Sequence, residues 1–216
     1  METDVPPGFM ALTFNPAQCR ADLDLFERLL AENPDLSERE QILPFFRARP
    51  HLCLLLGTYN SGIVVADRLA YELSLFGQFT ADVVVGDWRR KRYCLVEFED
   101  GKRNSIFVRR GGRQTTDWTP RFLRGYSQVM DWFWLLDVLR DTEPFERQFG
   151  KRVANVAGLL VIGRDSGVSA ADRLRLEWRR DHTIVNSQNV YCCTLDELAR
   201  DLRERINAWP IVPPQK

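Results

Sequence analysis

Three carboxylates stand at the ends of two apolar runs. Asp82 lies in Ala81-Asp82-Val83-Val84-Val85, and Glu97 and Glu99 lie in Leu95-Val96-Glu97-Phe98-Glu99. Residues two apart on a strand share a face, so Glu97 and Glu99 project together. If the two runs pair, Asp82 can stand across from Glu97. Carboxylates converging at a sheet edge repel one another unless a cation neutralises them. Oxygen-only ligands suit Mg²⁺ or Mn²⁺, and such an ion can activate water and stabilise an in-line displacement at phosphorus. The same spacing fits the solvated face of an antiparallel strand, and spacing alone leaves both open.

The elements around these acids follow from local signals. Asn15-Pro16 opens a helix, Leu23, Phe26, Leu29 and Leu30 give it a helical stripe, and Asn33-Pro34 stops it. Ser37 and Glu40 fit a capping box for a second helix with Ile42, Leu43, Phe45 and Phe46 on its apolar face, ended by Pro50. Residues 51–56 read as extended and 57–62 as a loop. Residues 80–85, 93–99 and 105–108 read as three strands of an antiparallel meander, because short polar connections join them. Pro120 leads into a helix over 121–139, and 156–162 reads as a strand buried on both faces. A helix over 170–180, a strand over 190–193 and a closing helix over 195–209 follow. Strands first, then alternating helix and strand, predict an α/β fold with a mixed sheet flanked by helices. A helical N-terminal arm (residues 1–48) precedes the main domain (49–210).

Composition narrows the class of protein. The 216 residues carry 30 Lys+Arg against 30 Asp+Glu, and 44% are apolar, so the chain is globular rather than disordered or fibrous. No apolar run reaches the roughly 18–20 residues of a membrane span. The acidic, proline-bearing start lacks the pattern of a signal peptide, which makes the cytoplasm the expected compartment. Five cysteines without a C-x-x-C pair predict reduced core thiols rather than disulfides or zinc. Gly57 and Gly62 have the glycine spacing of a phosphate loop, but Ile63 and Val64 stand where Lys and Ser/Thr belong, so no nucleotide cofactor is expected. His51 and His182 lack metal-ligand spacing and read as structural or exposed.

Zero net charge hides an uneven distribution. Residues 1–40 hold nine acids and three bases, whereas 89–124 hold eleven bases and four acids. A polyanion responds to the local patch rather than the sum, so neutrality does not exclude nucleic acid. The acidic segment could mask the basic one.

Several segments in order resemble a known family. They are Ala81-Asp82-Val83-Val84, Val96-Glu97-Phe98-Glu99, and Gly125-Tyr126-Ser127-Gln128 running to Trp132, followed by Leu159-Leu160-Val161-Ile162-Gly163-Arg164 and Thr194-Leu195-Asp196-Glu197-Leu198. Upstream, residues 26–34 resemble the family's leading helix. The pattern is that of PD-(D/E)XK nucleases and is similar to the nuclease domain of Shedu anti-phage defence proteins. The resemblance implies a restriction-endonuclease-like fold and Mg²⁺- or Mn²⁺-dependent cleavage of invading DNA by a homo-oligomer. It implies that Asp82 and Glu97 bind the metal and that Gln128 faces the site from its helix. It also implies a further acid before the first core strand, for which Glu72 is best placed. One departure is that Glu99 stands where the family pattern has Lys. Either Glu99 joins the metal shell, or Lys102 or Arg103 supplies the charge from the next loop. The third possibility is an inactive module that binds nucleic acid or a partner protein. Arg103, Arg109, Arg110 and Arg113 then read as contacts to DNA phosphates that position without reading sequence.

Overall fold

The computed structural model describes residues 5–112, 115–152, 154–185 and 188–208. A short edge strand, β1 (Met10–Ala11), precedes helix α1 (Pro16–Glu32), whose cap Asn15 accepts from the N–H groups of Ala17 and Gln18 at 3.1 Å. A π-helical turn (Glu38–Ile42) runs into α2 (Leu43–Arg47) and α3 (Pro50–Leu56). Strands β2 (Arg68–Leu75), β3 (Phe79–Asp87) and β4 (Arg92–Phe98) follow as an antiparallel meander. Next come a two-stranded hairpin, β5 (Phe107–Val108) with β6 (Asp117–Trp118), and the long helix α4 (Pro120–Leu139). Helix α5 (Glu143–Phe149), strand β7 (Asn155–Val161), helix α6 (Ala170–His182), strands β8 (Ile184–Val185) and β9 (Gln188–Cys193), and helix α7 (Leu195–Ala208) follow among the described residues.

The main sheet has seven strands in the order β1-β2-β3-β4-β7-β9-β8. Its β4–β7 and β7–β9 pairs are parallel and the others antiparallel. Period-two alternation divides the core. Val83, Val85, Val96 and Phe98 pack with α1, α3 and α7 on one face, through Leu23, Phe26, Leu52 and Leu198. Val84, Leu95 and Leu160 pack with α4, α5 and α6 on the other, through Phe122, Val129, Phe149 and Leu176. This is the predicted mixed sheet flanked by helices, and it suits a restriction-endonuclease-like α/β fold.

Four local expectations need correction. Residues 51–56 are helical, because Pro50 takes the first turn of α3, where its missing N–H costs nothing, and so begins a helix instead of ending one. All five of Leu52, Cys53, Leu54, Leu55 and Leu56 are buried, and a run buried all round carries no periodicity to tell helix from strand. Residues 105–108 are not a third meander strand: only Phe107 and Val108 pair, with β6, and β7 takes the place beside β4. The capping box is not formed either. The Ser37 side chain makes no cap bond, and its N–H donates to Gln41 Oε1 at 2.9 Å within a π turn. Helix α5 was not anticipated, although Thr142 as its cap and left-handed Gly150 (φ 72°) after it are sound end signals.

The acidic segment reaches the basic one beyond α1, through Asp35 and Glu38, while acids of α1 itself turn to α7. Asp24 and Glu27 pair with Arg203 of α7 at 2.6 and 2.8 Å, while Asp35 accepts from the Arg103 N–H. Buried Arg164, just past β7, ties this helix to the rest of the fold. It donates to the carbonyls of Leu30, Asn33 and Pro34 and to both carboxylate oxygens of Asp196. Arg164→Ala strands those acceptors and is expected to cost about 3 kcal/mol in urea unfolding. A loss below about 1 kcal/mol would mean that water replaces the guanidinium there. All five cysteines are buried and unpaired.

Candidate active site: an acidic cleft beside the long helix

The acids meet where β3 begins and β4 ends. The last register pair, Val83 with Val96, sets Asp82 opposite Glu97 at the next step. Asp82 Oδ2 accepts from the Phe98 N–H at 2.7 Å, which locks that carboxylate to β4. Glu97 and Glu99 share the face of Leu95, the face that α4 covers. Gly125 permits this closeness: a Cβ there would lie 2.9 Å from Leu160 Cδ1 and 3.2 Å from Glu99 Cγ. Gly125→Ala is expected to push α4 off the sheet, destabilise the fold by about 1–3 kcal/mol and disturb Glu99. Unchanged thermal unfolding of that variant would show that the contact is slack.

A second glycine brings in a fourth acid. Gly101 pairs with Leu36 through two backbone hydrogen bonds, and a Cβ on it would collide with Leu195 Cδ1. The segment after α1 therefore lies across the end of β4, where the Glu38 N–H donates to Asp100 Oδ1 at 2.9 Å. The π turn that follows sets the Glu38 carboxylate 3.6 Å from Arg121. Nothing in the sequence signals this placement. The resulting cleft, about 580 Å³, is lined by Glu38, Glu97, Glu99, Lys102, Arg121 and Gln128 among others.

Arg121 is the cation that sequence reasoning missed. It stands in the first turn of α4, bonds Glu99 Oε2 at 2.7 Å and lies 3.4 Å from Asp100. Its one visible signal was its position just after Pro120, at a helix start where a base opposes the dipole and so wants an acid nearby. Lys102 lines the same cleft, with its Nζ 2.8 Å from Asp100. Gln128 donates to the Thr80 carbonyl at 3.3 Å and lies close enough to Glu97 to favour its ionised form.

Other expected residues lie elsewhere. Glu72 is exposed and paired with Arg47 at 2.8 Å, although its charge is felt at Asp82. Its backbone is left-handed (φ 46°), unusual for a non-glycine inside a strand, and there the alternation slips. Tyr71 and Val83 pack on one face, but Leu73 and Ala81 pack on the other. Arg103 and Arg109 line a neighbouring cleft, and Arg110 reaches Asp117 at 4.0 Å. Arg113 lies outside the described residues.

The electrostatics of the cleft are those of crowded, buried acids. Burial, then the charges of Asp82, Glu99 and Glu38, push Glu97 up to about 10. Burial also drives Asp82 up, to about 7, against the Phe98 N–H that favours its charge. Glu38 and Glu99 are raised as well, both chiefly by burial. Glu97 Oε2 is buried and has no hydrogen-bond partner. Among the described residues, no group of three or more His, Cys, Asp or Glu side chains is arranged to hold a metal ion. The donor set fits a magnesium-like ion in a narrower way, because such ions are commonly held by one or two carboxylates with water and phosphate completing the shell. Asp82 and Glu97 would be those two, since Arg121 engages Glu99.

The mixed sheet flanked by helices is consistent with a restriction-endonuclease-like α/β fold. A family model, Shedu protein SduA, C-terminal, matches residues 35–199, which include every residue lining the cleft. The chain belongs to this family, and membership implies a role in anti-phage defence. No curated protein matches it. Among the described residues, no helix is long and apolar enough to cross a membrane.

Proposed function

We propose that the chain is a divalent-metal-dependent DNA endonuclease acting in anti-phage defence. The observation that carries this reading is Glu97, a buried carboxylate held among other acids with one oxygen unpartnered. Asp82 and Glu97 would hold Mg²⁺ or Mn²⁺ through oxygen donors. When bound, such an ion supplies the positive charge and acidified water that phosphodiester hydrolysis needs. Arg121 takes over the charge that the family pattern assigns to lysine, from the helix instead of the strand, and Glu99 anchors it. Lys102 adds a second positive charge at the rim, and Gln128 orients the Glu97 carboxylate. Arg103, Arg109 and Arg110 contact phosphates beside the cleft and read no bases.

Plasmid relaxation in Mg²⁺ or Mn²⁺ tests this reading, with Asp82→Ala as the control. The parent should nick DNA only with metal, and the variant, still folded by circular dichroism, should not. Cutting in chelator, or equal cutting by Asp82→Ala, would sink the site assignment. One observation favours a second reading, an inactive module of this fold that binds nucleic acid. Arg121 already answers three carboxylates and so has less charge to offer a phosphate. Under that reading DNA binding persists in chelator and no divalent ion gives cleavage.

A further inference from the structure

On the far flank of α4 from the acidic cleft lies a groove of about 580 Å³, between α6 and the β5–β6 hairpin. Trp118 lines it and sits against a ladder of rings buried behind it. Phe107 and Trp118 lie 4.5 Å apart between centroids, Trp118 and Phe122 stack at 4.5 Å, and Phe122 leads on to Tyr126 at 5.8 Å. Two guanidinium groups cover this ladder. Arg179 Cζ lies 4.1 Å from the Tyr126 centroid and 5.1 Å from that of Trp118, and Arg175 Cζ lies 5.2 Å from Trp118. Trp178, 62% exposed, lines the other side. Its ring is stacked on His182 at 4.7 Å and 10°, and His182 Nδ1 donates to the Trp178 carbonyl at 2.8 Å. A large aromatic ring is therefore held by His182 and largely exposed to solvent.

Charge indicates what the groove receives. Arg179 makes no ion pair among the described residues, so its charge stays available for an anion. Arg175 is paired with Asp172 at 3.1 Å and bonds both the Thr116 carbonyl and Oγ1, and Thr116 also lines the neighbouring cleft with Arg103, Asn104 and Arg109. Arg103 follows Lys102, which lines the acidic cleft. Basic residues therefore run from the acidic cleft, past the hairpin, to the aromatic groove. Exposed aromatic planes beside a cationic track are the means by which proteins hold unpaired bases and their phosphates, without selecting sequence. A duplex keeps its base faces stacked inside and cannot offer them to Trp178.

We infer that this groove binds the bases of a single-stranded nucleic acid whose backbone follows the arginine track toward the acidic cleft. The inference rests on the nuclease reading and deepens it by naming the substrate class, a strand that is single or has been opened. Its test needs no cleavage. Fluorescence anisotropy in chelator compares a labelled oligothymidylate with a duplex of equal length, using the full chain and its Trp178→Ala and Arg179→Ala variants. The parent should prefer the single strand and show quenched tryptophan emission on binding it. Each variant should lose roughly tenfold or more in single-strand affinity with little change toward duplex. Unchanged single-strand affinity in Trp178→Ala overturns the inference. So does a variant that alters only sedimentation, which would assign the face to a second copy of this chain. Failure here leaves metal-dependent plasmid cutting untouched, and failure of cutting leaves this binding measurement standing.

Discussion

Glu97→Gln is expected to give a protein that no longer cuts DNA and is nevertheless more stable than the parent when metal is withheld. Glu97 is buried against Asp82, with Glu99 and Glu38 adding negative charge, and Arg121 answers Glu99 instead. The folded state therefore keeps Glu97 protonated up to about 10, whereas the unfolded chain ionises it in the ordinary carboxylate range. A raised acid contributes stability that is complete at low pH and is lost as pH climbs toward its folded value. Each such carboxyl gives a slope of about 1.4 kcal/mol per pH unit while it is charged only in the unfolded chain. For Asp82 that window closes near 7, and for Glu97 near 10. Urea unfolding in chelator should show the parent losing stability between pH 5.5 and 8, with a shallower loss in Glu97→Gln. Millimolar Mg²⁺ should restore the parent and leave the variant unmoved. A variant no more stable than the parent at pH 8 would mean that the carboxylates are not crowded.

Arg121→Ala should reduce metal-dependent cleavage by roughly 10²–10³-fold, the usual cost of losing one charge-stabilising donor. Lys102→Ala should cost less, since that side chain sits at the rim on Asp100. Arg121→Lys should recover part of the rate, because it keeps the charge and gives up the fork that spans Glu99 and Asp100. Stability should fall by only about 1 kcal/mol in Arg121→Ala, because the guanidinium is 40% exposed and water screens its pairs. Single-turnover rates on a nicked-plasmid assay separate these outcomes. Full activity in Arg121→Ala, with loss in Lys102→Ala, would move the essential charge to the loop.

What the sequence disclosed follows from how far each signal reaches. Asn15-Pro16, Pro120 and the valine run of β3 act within a few residues, and the corresponding elements form as read. The opposition of Asp82 and Glu97 was legible because a tight hairpin fixes register. Arg121 escaped notice because it stands 22 positions beyond Glu99, and only the docking of α4 through Gly125 brings the two together. Glu38 escaped because a π turn, rather than the expected capping box, aims it. Helix α3 was misread because uniform burial erases the period by which a helix announces itself.

The parallel pairing of β4 with β7 has a consequence for synthesis. These strands lie about 60 residues apart in the chain, and α4, which carries Arg121 and Gln128, packs over both. A ribosome-bound chain that has released only the meander holds its acids together without the helix that closes over them. The cleft is finished only when β7 has emerged and zipped alongside β4, a non-local step that comes late in folding. Nascent fragments that stop short of β7 therefore lack part of the sheet on which α4 docks.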